Sequence, residues 1–117
     1  MAITTNFSGY LKRYNDSEVE TVRRFSVSKT SNEYGFNKIT IALGSSNISI
    51  MPRGLTSANS FFLETDNNIN VTVYGAITAS FDIYANGYCY MNASLSDVKL
   101  TNRSATTNAA VIYDLSG

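Results

Sequence analysis

The feature that most constrains this chain is the alternation of apolar and polar residues over positions 68–90, NINVTVYGAITASFDIYANGYCY. Apolar side chains occupy every second position over residues 69–73, and the same rule resumes over residues 77–83. A period of two places one set of side chains on each face of an extended strand. Gly75 can supply a turn, and Asn86-Gly87 tolerates the positive φ angles of a tight hairpin. The sequence therefore predicts a β-meander at the centre of the fold.

The segment before this centre is less clear-cut. Residues 18–28 alternate except at Val22 and Arg23, and they contain several β-branched residues, which favours a strand. A helix over residues 16–24 is the alternative, because Asp16 or Ser17 could cap it. Residues 29–35 are polar and end in Tyr-Gly, so we predict a loop there.

Short strands and turn signals fill the rest of the chain. Residues 36–43 form a predicted strand that should bury Ile39, Ile41 and Leu43, and a hairpin loop at residues 44–47 should lead into a partner strand. The other predicted elements, in chain order, are the strand 48–51 stopped by Pro52-Arg53-Gly54, the strand 58–65, the turn 66–68, the strands 88–93 and 98–101, the polar loop 102–108, and a last strand that alternates through Ala109, Val111, Tyr113 and Leu115.

Eight or nine short strands without a convincing long helix are typical of an antiparallel β-sandwich or barrel. We therefore expect an all-β protein with a single antiparallel β-sandwich of about eight strands, jelly-roll or immunoglobulin-like, over residues 18–117. Residues 1–17 lack sustained periodicity but contain Phe7, Tyr10, Leu11 and Tyr14. They are predicted to form an N-terminal arm that docks on its own domain or on a neighbouring subunit, with a frayed terminus as the alternative.

The composition removes most catalytic chemistry. The chain has 117 residues, no histidine and one cysteine, Cys89, so Ser-His and Cys-His nucleophiles and structural zinc are excluded. Cys89 lies in the strand pattern between Tyr88 and Tyr90, where a buried, inert thiol is expected. Isolated glycines that open no helix give no phosphate-binding loop. We expect neither an enzyme nor a cofactor.

Charge and hydropathy restrict the partners and the compartment. Nine basic and nine acidic residues give a net charge of zero, so the electrostatic signature of nucleic-acid or anionic-membrane binding is missing. The first ten residues, MAITTNFSGY, contain no signal-peptide core, and no segment has the apolar length of a membrane span. The expectation is a soluble protein made in a reducing cytoplasm, in which the six Asn-x-Ser/Thr triplets arise by chance.

A few polar and aromatic residues are candidates for a site. Glu64 and Asp66 share a strand face and could form a carboxylate pair, as could Asp82 with a partner from another strand. Solvated turn carboxylates are the simpler interpretation of these residues. The segment ETDNN at residues 64–68 could also bind calcium, but solvated turn residues are again the simpler interpretation. Arg53 could serve an interface or lie in solvent. The sequence thus supports no catalytic or metal-binding assignment.

Tyrosine is abundant around the Asn86-Gly87 turn. Tyr84, Tyr88 and Tyr90 could stack on sugars or anchor a protein contact, because a large ring adds contact area at little entropic cost. The alternative is that these rings make ordinary cross-strand pairs on a half-buried sheet.

Three stretches together resemble small β-sandwich virion proteins of tailed bacteriophages. They are KITIALGSSNISIMP at residues 38–52, FFLETDNNINVTVYGA at 61–76 and DVKLTNRSATTNAAVIYDLSG at 97–117, and they cover about the last two thirds of the chain. The resemblance implies a noncatalytic structural subunit that is repeated on the particle. It brings no catalytic residues with it.

The resulting functional expectation is a capsid decoration or auxiliary protein that stabilises the particle through subunit contacts. Its partners would be the major capsid or tail protein and copies of itself, in a homo-oligomer located in the virion after synthesis in the host cytoplasm. A tail or head-to-tail structural component is one alternative, and a carbohydrate-binding β-sandwich that uses Tyr84, Tyr88 and Tyr90 is another. Exposure distinguishes the two classes, since a sugar binder shows open rings in a groove.

Overall fold

The computed structural model describes residues 3–14, 19–31, 34–52 and 55–117. These residues form β-strands joined by turns and loops, and none of them is helical. The strands of the described residues are β1 (Ile3–Tyr14), β2 (Val19–Ser31), β3 (Tyr34–Ile41), β4 (Ile48–Ser49), β5 (Ala58–Thr65), β6 (Ile69–Gly75), β7 (Ala79–Ile83), β8 (Tyr88–Thr101) and β9 (Ala109–Ser116).

The chain divides into two compact units, Met1–Asn32 and Glu33–Gly117. We call the first the ribbon and the second the body. In the ribbon, β1 and β2 pair antiparallel from Ile3 opposite Ser31 to Tyr14 opposite Val19, with a bulge next to Leu11. The division therefore falls after Asn32, whereas the sequence suggested a boundary after Ser17. The difference arises because β1 finds its only sheet partner, among the described residues, in β2.

The ribbon corrects two local expectations. Residues 3–14 form a regular strand despite their weak periodicity, because pairing with β2 satisfies their backbone groups. Most of the loop predicted at residues 29–35 is strand instead, since β2 extends to Ser31 and β3 begins at Tyr34. The described part of the alternative helix, residues 19–24, is strand.

The two faces of the ribbon differ in chemistry. On one face Phe25 stacks on Phe7, with ring centroids 5.3 Å apart, and covers Gly9, where an added Cβ would lie 2.8 Å from the Phe25 ring. On the other face the Tyr10 ring lies between Lys12 and Arg24, whose cationic groups are 5.4 and 5.5 Å from its centroid. Each cation gains a modest attraction to the ring, so Tyr10 is held in place while most of it stays accessible.

The body is one antiparallel sheet of seven strands in the order β3-β9-β5-β8-β6-β7, with β4 paired to β8. The hairpin predicted around residues 44–47 is wrong, because Ile39 pairs with Val111 of β9 and Ile48 pairs with Leu100 of β8. The Gly44 N–H donates to the Ser104 carbonyl instead, and the turn bonds to the loop after β8. Leu43 follows the end of β3 and is 46% exposed, which corrects its expected burial.

The predicted meander is also wrong in strand order, because β6 lies between β7 and β8. Asn86 has the expected positive φ of 64°, but the turn does not close a two-residue hairpin. The Asn86 N–H donates to the Thr65 carbonyl, and the Thr65 N–H donates to the Gly87 carbonyl. The turn is therefore fixed to the end of β5, and β8 continues along β5 rather than along β7.

Strand β8 joins the two halves of the body. Its first part pairs with β5, and its second part pairs with β6 on one side and β4 on the other. Leu95 lies opposite Gly75 and Asp97 lies opposite Tyr74, so Ser96 is an extra residue in a β-bulge. Because of this bulge, Leu95 and Val98 both point inward although they are three residues apart.

The halves on either side of β8 enclose one apolar core. Residues from both halves are fully buried, including Phe61 of β5 and Val71 of β6, which requires each half to cover the inner face of the other. This confirms an all-β antiparallel β-sandwich, and the alternation predicted for the last strand is confirmed by its buried residues. The core consists of Ile41, Ile50, Leu55, Ala58, Phe61, Leu63, Ile69, Val71, Val73, Ile83, Leu95, Val98, Leu100, Ala109, Val111, Tyr113 and Leu115.

Candidate binding site

The predicted carboxylate pair Glu64 and Asp66 lies at the end of β5, beside an open depression of about 230 Å³ that Lys38 also lines. Asp66 has a structural role there, because its carboxylate accepts the Ala110 N–H of β9 at 2.7 Å while its own N–H donates to the Ala110 carbonyl. Glu64 is exposed on the strand. Asp66 therefore connects the end of β5 to β9, while Glu64 lines the same depression.

Side-chain oxygens of the segment ETDNN are used on backbone groups, two of them within the segment itself. The Thr65 hydroxyl donates to the Asn67 carbonyl at 2.7 Å, and the Asn67 amide oxygen accepts the Asn68 N–H at 2.9 Å. Such local bonds are what turn residues of this type make. In the part of the chain that the structure describes, no three His, Cys, Asp or Glu residues cluster as metal ligands would.

Cys89 is placed on β8 opposite Leu63 and packs partly against the core. Burial raises the pKa of its thiol from 9.0 to about 11, and a backbone hydrogen bond with Leu63 offsets this only in part. The thiolate is the reactive form, so the environment keeps Cys89 unreactive at neutral pH. Arg53, the other single candidate, lies outside the described residues.

The tyrosine cluster is divided between two places. Tyr88 and Tyr90 lie on the outer face of β8, opposite Glu64 and Phe62 of β5, and the Tyr88 ring is tilted against Phe62 with centroids 6.3 Å apart. The Tyr90 hydroxyl donates to the Asn92 amide oxygen at 3.1 Å. These two rings make the cross-strand contacts that the simpler interpretation expected. Tyr84 follows β7 and does not join them.

Tyr84 lines an open depression of about 390 Å³ at the edge of the sandwich that β6 and β7 form. We call it the Asp82 depression. Strand β6 and the turn before it form one wall, β7 and Tyr84 form a second, and the loop after β8 forms a third. Its lining residues are Asn67, Asn68, Ile69, Asn70, Asp82, Tyr84, Arg103, Ser104 and Thr107.

Asn70 organises the floor of this depression. It lies directly opposite Asp82 in the β6–β7 register and is only 8% exposed. Its amide nitrogen donates to one carboxylate oxygen of Asp82 at 2.9 Å and to the Ser80 hydroxyl at 3.2 Å, while its amide oxygen accepts the Ser80 and Thr72 hydroxyls. A buried amide with its hydrogen-bonding groups satisfied in this way holds its neighbours in fixed positions.

Arg103 closes the opposite side of the depression. Its guanidinium donates to the same Asp82 oxygen at 3.4 Å, with side-chain exposures of 67% for Arg103 and 52% for Asp82. An ion pair this exposed contributes little to stability, but it neutralises the local charge. The sequence identified Asp82 and Tyr84 but not Asn70 or Arg103. Asn70 could have been found by pairing the two strands across a turn near Gly75, whereas Arg103 depends on a long-range contact.

Asn102, next to Arg103, fixes the loop after β8, which forms the third wall of the Asp82 depression. It is fully buried, and its amide nitrogen donates to the carbonyls of Ile41 and Thr107 while its amide oxygen accepts the Ser104 N–H. Asn102 begins an Asn-x-Ser triplet, and its burial makes it inaccessible to glycosylation in the folded body. The loop is therefore anchored to the end of β3 by one side chain.

Comparison with protein-family models, with curated proteins and with solved structures finds no match to this chain. Within the described ranges, no helix has the length and hydropathy needed to cross a membrane.

Proposed function

We propose that this chain is a noncatalytic structural subunit of a bacteriophage virion, acting as a capsid decoration or auxiliary protein that stabilises the particle through subunit contacts. A tail or head-to-tail position is the alternative within the same class. The observation that carries the proposal is the ribbon, a two-stranded unit whose large side chains are left accessible. The assignment to a phage particle is supported by the resemblance of residues 38–52, 61–76 and 97–117 to virion proteins.

The ribbon is built for contact with another molecule. A two-stranded hairpin is at best marginally stable in water, because two strands cannot bury an apolar face by themselves. In this chain Tyr10, Leu11 and Tyr14 are 60%, 58% and 69% exposed. Leu11 lies on the apolar face with Phe7, so binding that face to a protein surface would remove the exposed area of Leu11 from water and stabilise the ribbon. Tyr10 and Tyr14 lie on the other face.

The formal charges of the two units indicate that the protein surface bound by the ribbon can belong to another copy of the chain. The ribbon unit has five basic and three acidic residues, and the body has four and six, which gives formal charges of +2 and −2. A ribbon from one copy and the body of the next are thus electrostatically complementary. The zero net charge of the whole chain keeps repulsion between many neighbouring copies weak.

The chemistry of the side chains agrees with a noncatalytic role. The sequence has no histidine, and its only thiol is held protonated by burial. The candidate carboxylate Asp66 makes a structural hydrogen bond between strands. These features agree with a subunit that holds other proteins in place. The proposal also places its synthesis in the host cytoplasm and its location in the virion, with the capsid or tail protein as its second partner.

The test is binding of the purified chain to particles assembled without it, measured by co-sedimentation, together with its mass in solution by light scattering. We expect the wild-type chain to bind, and Leu11→Asp to weaken binding by about tenfold or more, because it places a carboxylate on the apolar face. Ser26→Asp is the matched control, since it adds the same charge on an exposed polar position of β2. A stable monomer that does not bind the particles would refute the proposal.

A further inference from the structure

We propose that the Asp82 depression is a binding site for a neutral pyranose sugar. This inference is independent of the proposed assembly role, because it concerns the edge of the body and involves no ribbon residue. It also corrects the residue set expected from the sequence: Tyr84 remains, while Tyr88 and Tyr90 do not line the depression.

The size and lining of the depression suit a small polar ligand. Its volume of about 390 Å³ falls at the lower end of the range for small-molecule sites. Asn67, Asn68, Ser104 and Thr107 are among its lining residues. Amides and hydroxyls both donate and accept, which matches a ligand whose hydroxyl groups do the same.

The Asp82 carboxylate is fixed before any ligand arrives. One of its oxygens accepts from both Asn70 and Arg103, and Asn70 is itself held by Ser80 and Thr72. The second oxygen makes no hydrogen bond to another described residue. A carboxylate accepts several hydrogen bonds, so this oxygen can take ligand hydroxyl groups without reorganising the site.

Tyr84 supplies the apolar surface that a sugar ring needs. Tyr84 is 72% exposed. It follows the buried Ile83 and precedes the exposed Ala85, whose N–H donates to the Asn68 amide oxygen at 2.9 Å. The backbone under the ring is therefore fixed from both sides. An aromatic face on a fixed backbone can stack against the C–H face of a pyranose at low entropic cost.

Charge decides which kind of sugar fits. Asp82 and Arg103 form an ion pair, so the depression has no net charge to attract an anion or a cation. A phosphate or a sugar acid would face the Asp82 carboxylate, and a divalent cation would find only this single carboxylate among the lining residues. A neutral polyhydroxylated ring meets neither penalty.

The experiment is a titration of the isotopically labelled full chain with methyl glycosides of glucose, galactose and mannose at tens of millimolar, followed by amide NMR shifts. We expect at least one glycoside to shift the backbone amides of Asn68, Asn70 and Ala85, with a Kd in the millimolar range. Tyr84→Ala and Asp82→Asn should each raise that Kd by about tenfold or more. Tyr88→Ala should leave it within about twofold, because Tyr88 is exposed but lies outside the depression.

Absence of shifts with all the glycosides would overturn the inference, as would binding that survives Tyr84→Ala and Asp82→Asn. Binding abolished by Tyr88→Ala alone would also overturn it. Tyr84 is exposed, so Tyr84→Ala tests the site even if Asp82→Asn perturbs the fold. No particle is present in this titration, so a negative result would not bear on the proposed role of the ribbon in assembly.

Discussion

The ribbon and the body are built from the same kind of strand but differ in what covers their apolar side chains. In the body, Phe61 and Val71 come from opposite halves of the sandwich and are fully buried. In the ribbon, Phe7 and Phe25 stack on each other and remain only partly buried. The comparison teaches that alternation specifies a strand, while burial requires a second layer. A two-stranded unit does not provide that layer itself.

The largest expected difference is between Phe61→Ala and Phe25→Ala. Phe61→Ala removes a fully buried ring and should lower the free energy of unfolding of the body by about 3–5 kcal/mol. Phe25→Ala should cost less than about 1 kcal/mol in the same transition, because its ring packs on Phe7 and Gly9 of the ribbon. Urea denaturation measures both. Equal costs would show that ribbon and body unfold as one cooperative unit.

Asn102→Ala should cost about 1–3 kcal/mol, because it leaves the buried Ile41 carbonyl and the part-buried Thr107 carbonyl without their donor. The same urea transition measures the change. Asn92→Ala is the control, since Asn92 is an exposed residue of β8 and its loss should change stability by no more than about 0.5 kcal/mol. An Asn102→Ala protein as stable as wild type would mean that the loop after β8 does not need this anchor.

Two glycine substitutions compare the rigidity of the units. Gly75 has a φ of 149°, and an added Cβ would clash with the Ser94 carbonyl oxygen and the Leu95 Cα at the bulge, so Gly75→Ala should cost about 1–3 kcal/mol. Gly9→Ala in the ribbon meets only the far end of the Phe25 ring, which can move, and should cost under about 1 kcal/mol. Thermal unfolding followed by circular dichroism measures which of the two substitutions is more destabilising. A larger loss of stability for Gly9→Ala than for Gly75→Ala would contradict this prediction.

The smallest effect concerns Cys89. Its pKa is raised from 9.0 to about 11, so the folded state holds the thiol proton more tightly than the unfolded state does. The thiol's contribution to stability is therefore complete below pH 9 and declines as the pH rises toward 11. Cys89→Ala should lack this part of the decline when urea curves are compared across that window. If both proteins lose stability equally, the burial of the thiol is less complete than the structure indicates.

Alkylation gives a second measurement of the same thiol. At pH 8 it should be about a hundredfold slower in the folded protein than in urea, because the thiolate fraction falls tenfold per unit of pKa. Leu11→Asp in the ribbon should leave this rate unchanged, since the thiol belongs to the body. An accelerated rate would indicate that the ribbon and the body open together.

The sequence predicts the strands of the body better than their partners. The last strand agrees closely with the predicted alternation, because a period of two fixes which residues of a strand face the core. The bounds predicted for β5, residues 58–65, also agree, although both Ser60 and Phe61 are buried. Strand order is a different matter, since no local signal indicates that β3 pairs with β9 or that β7 lies at an edge. The bulge at Ser96 also shifts the alternation within β8 by one residue. For this reason the sequence predicted two shorter strands, 88–93 and 98–101, in place of the single strand Tyr88–Thr101.

The residues of the candidate site divide in the same way, into those that a local pattern identifies and those that depend on long-range pairing. Asp82 could be identified as a carboxylate of an alternating strand, and Tyr84 as an aromatic residue near the Asn86-Gly87 turn. Asn70 is their neighbour only through the β6–β7 register, and Arg103 only through the fold of a loop. Tyr88 and Tyr90 were grouped with Tyr84 by proximity in the sequence, and the anchoring of the Asn86-Gly87 turn to β5 separates them.

The pairing of the last two strands has a consequence for synthesis. In the body, β3 pairs with β9, β4 with β8, and β5 with both, so none of these three has a partner among the described residues that precede residue 88. Among the described strands of the body, β6 and β7 are the pair that can close on the ribosome before β8 and β9 emerge. The nascent polypeptide must therefore stay unaggregated with several apolar strands open until β8 and β9 have been synthesised.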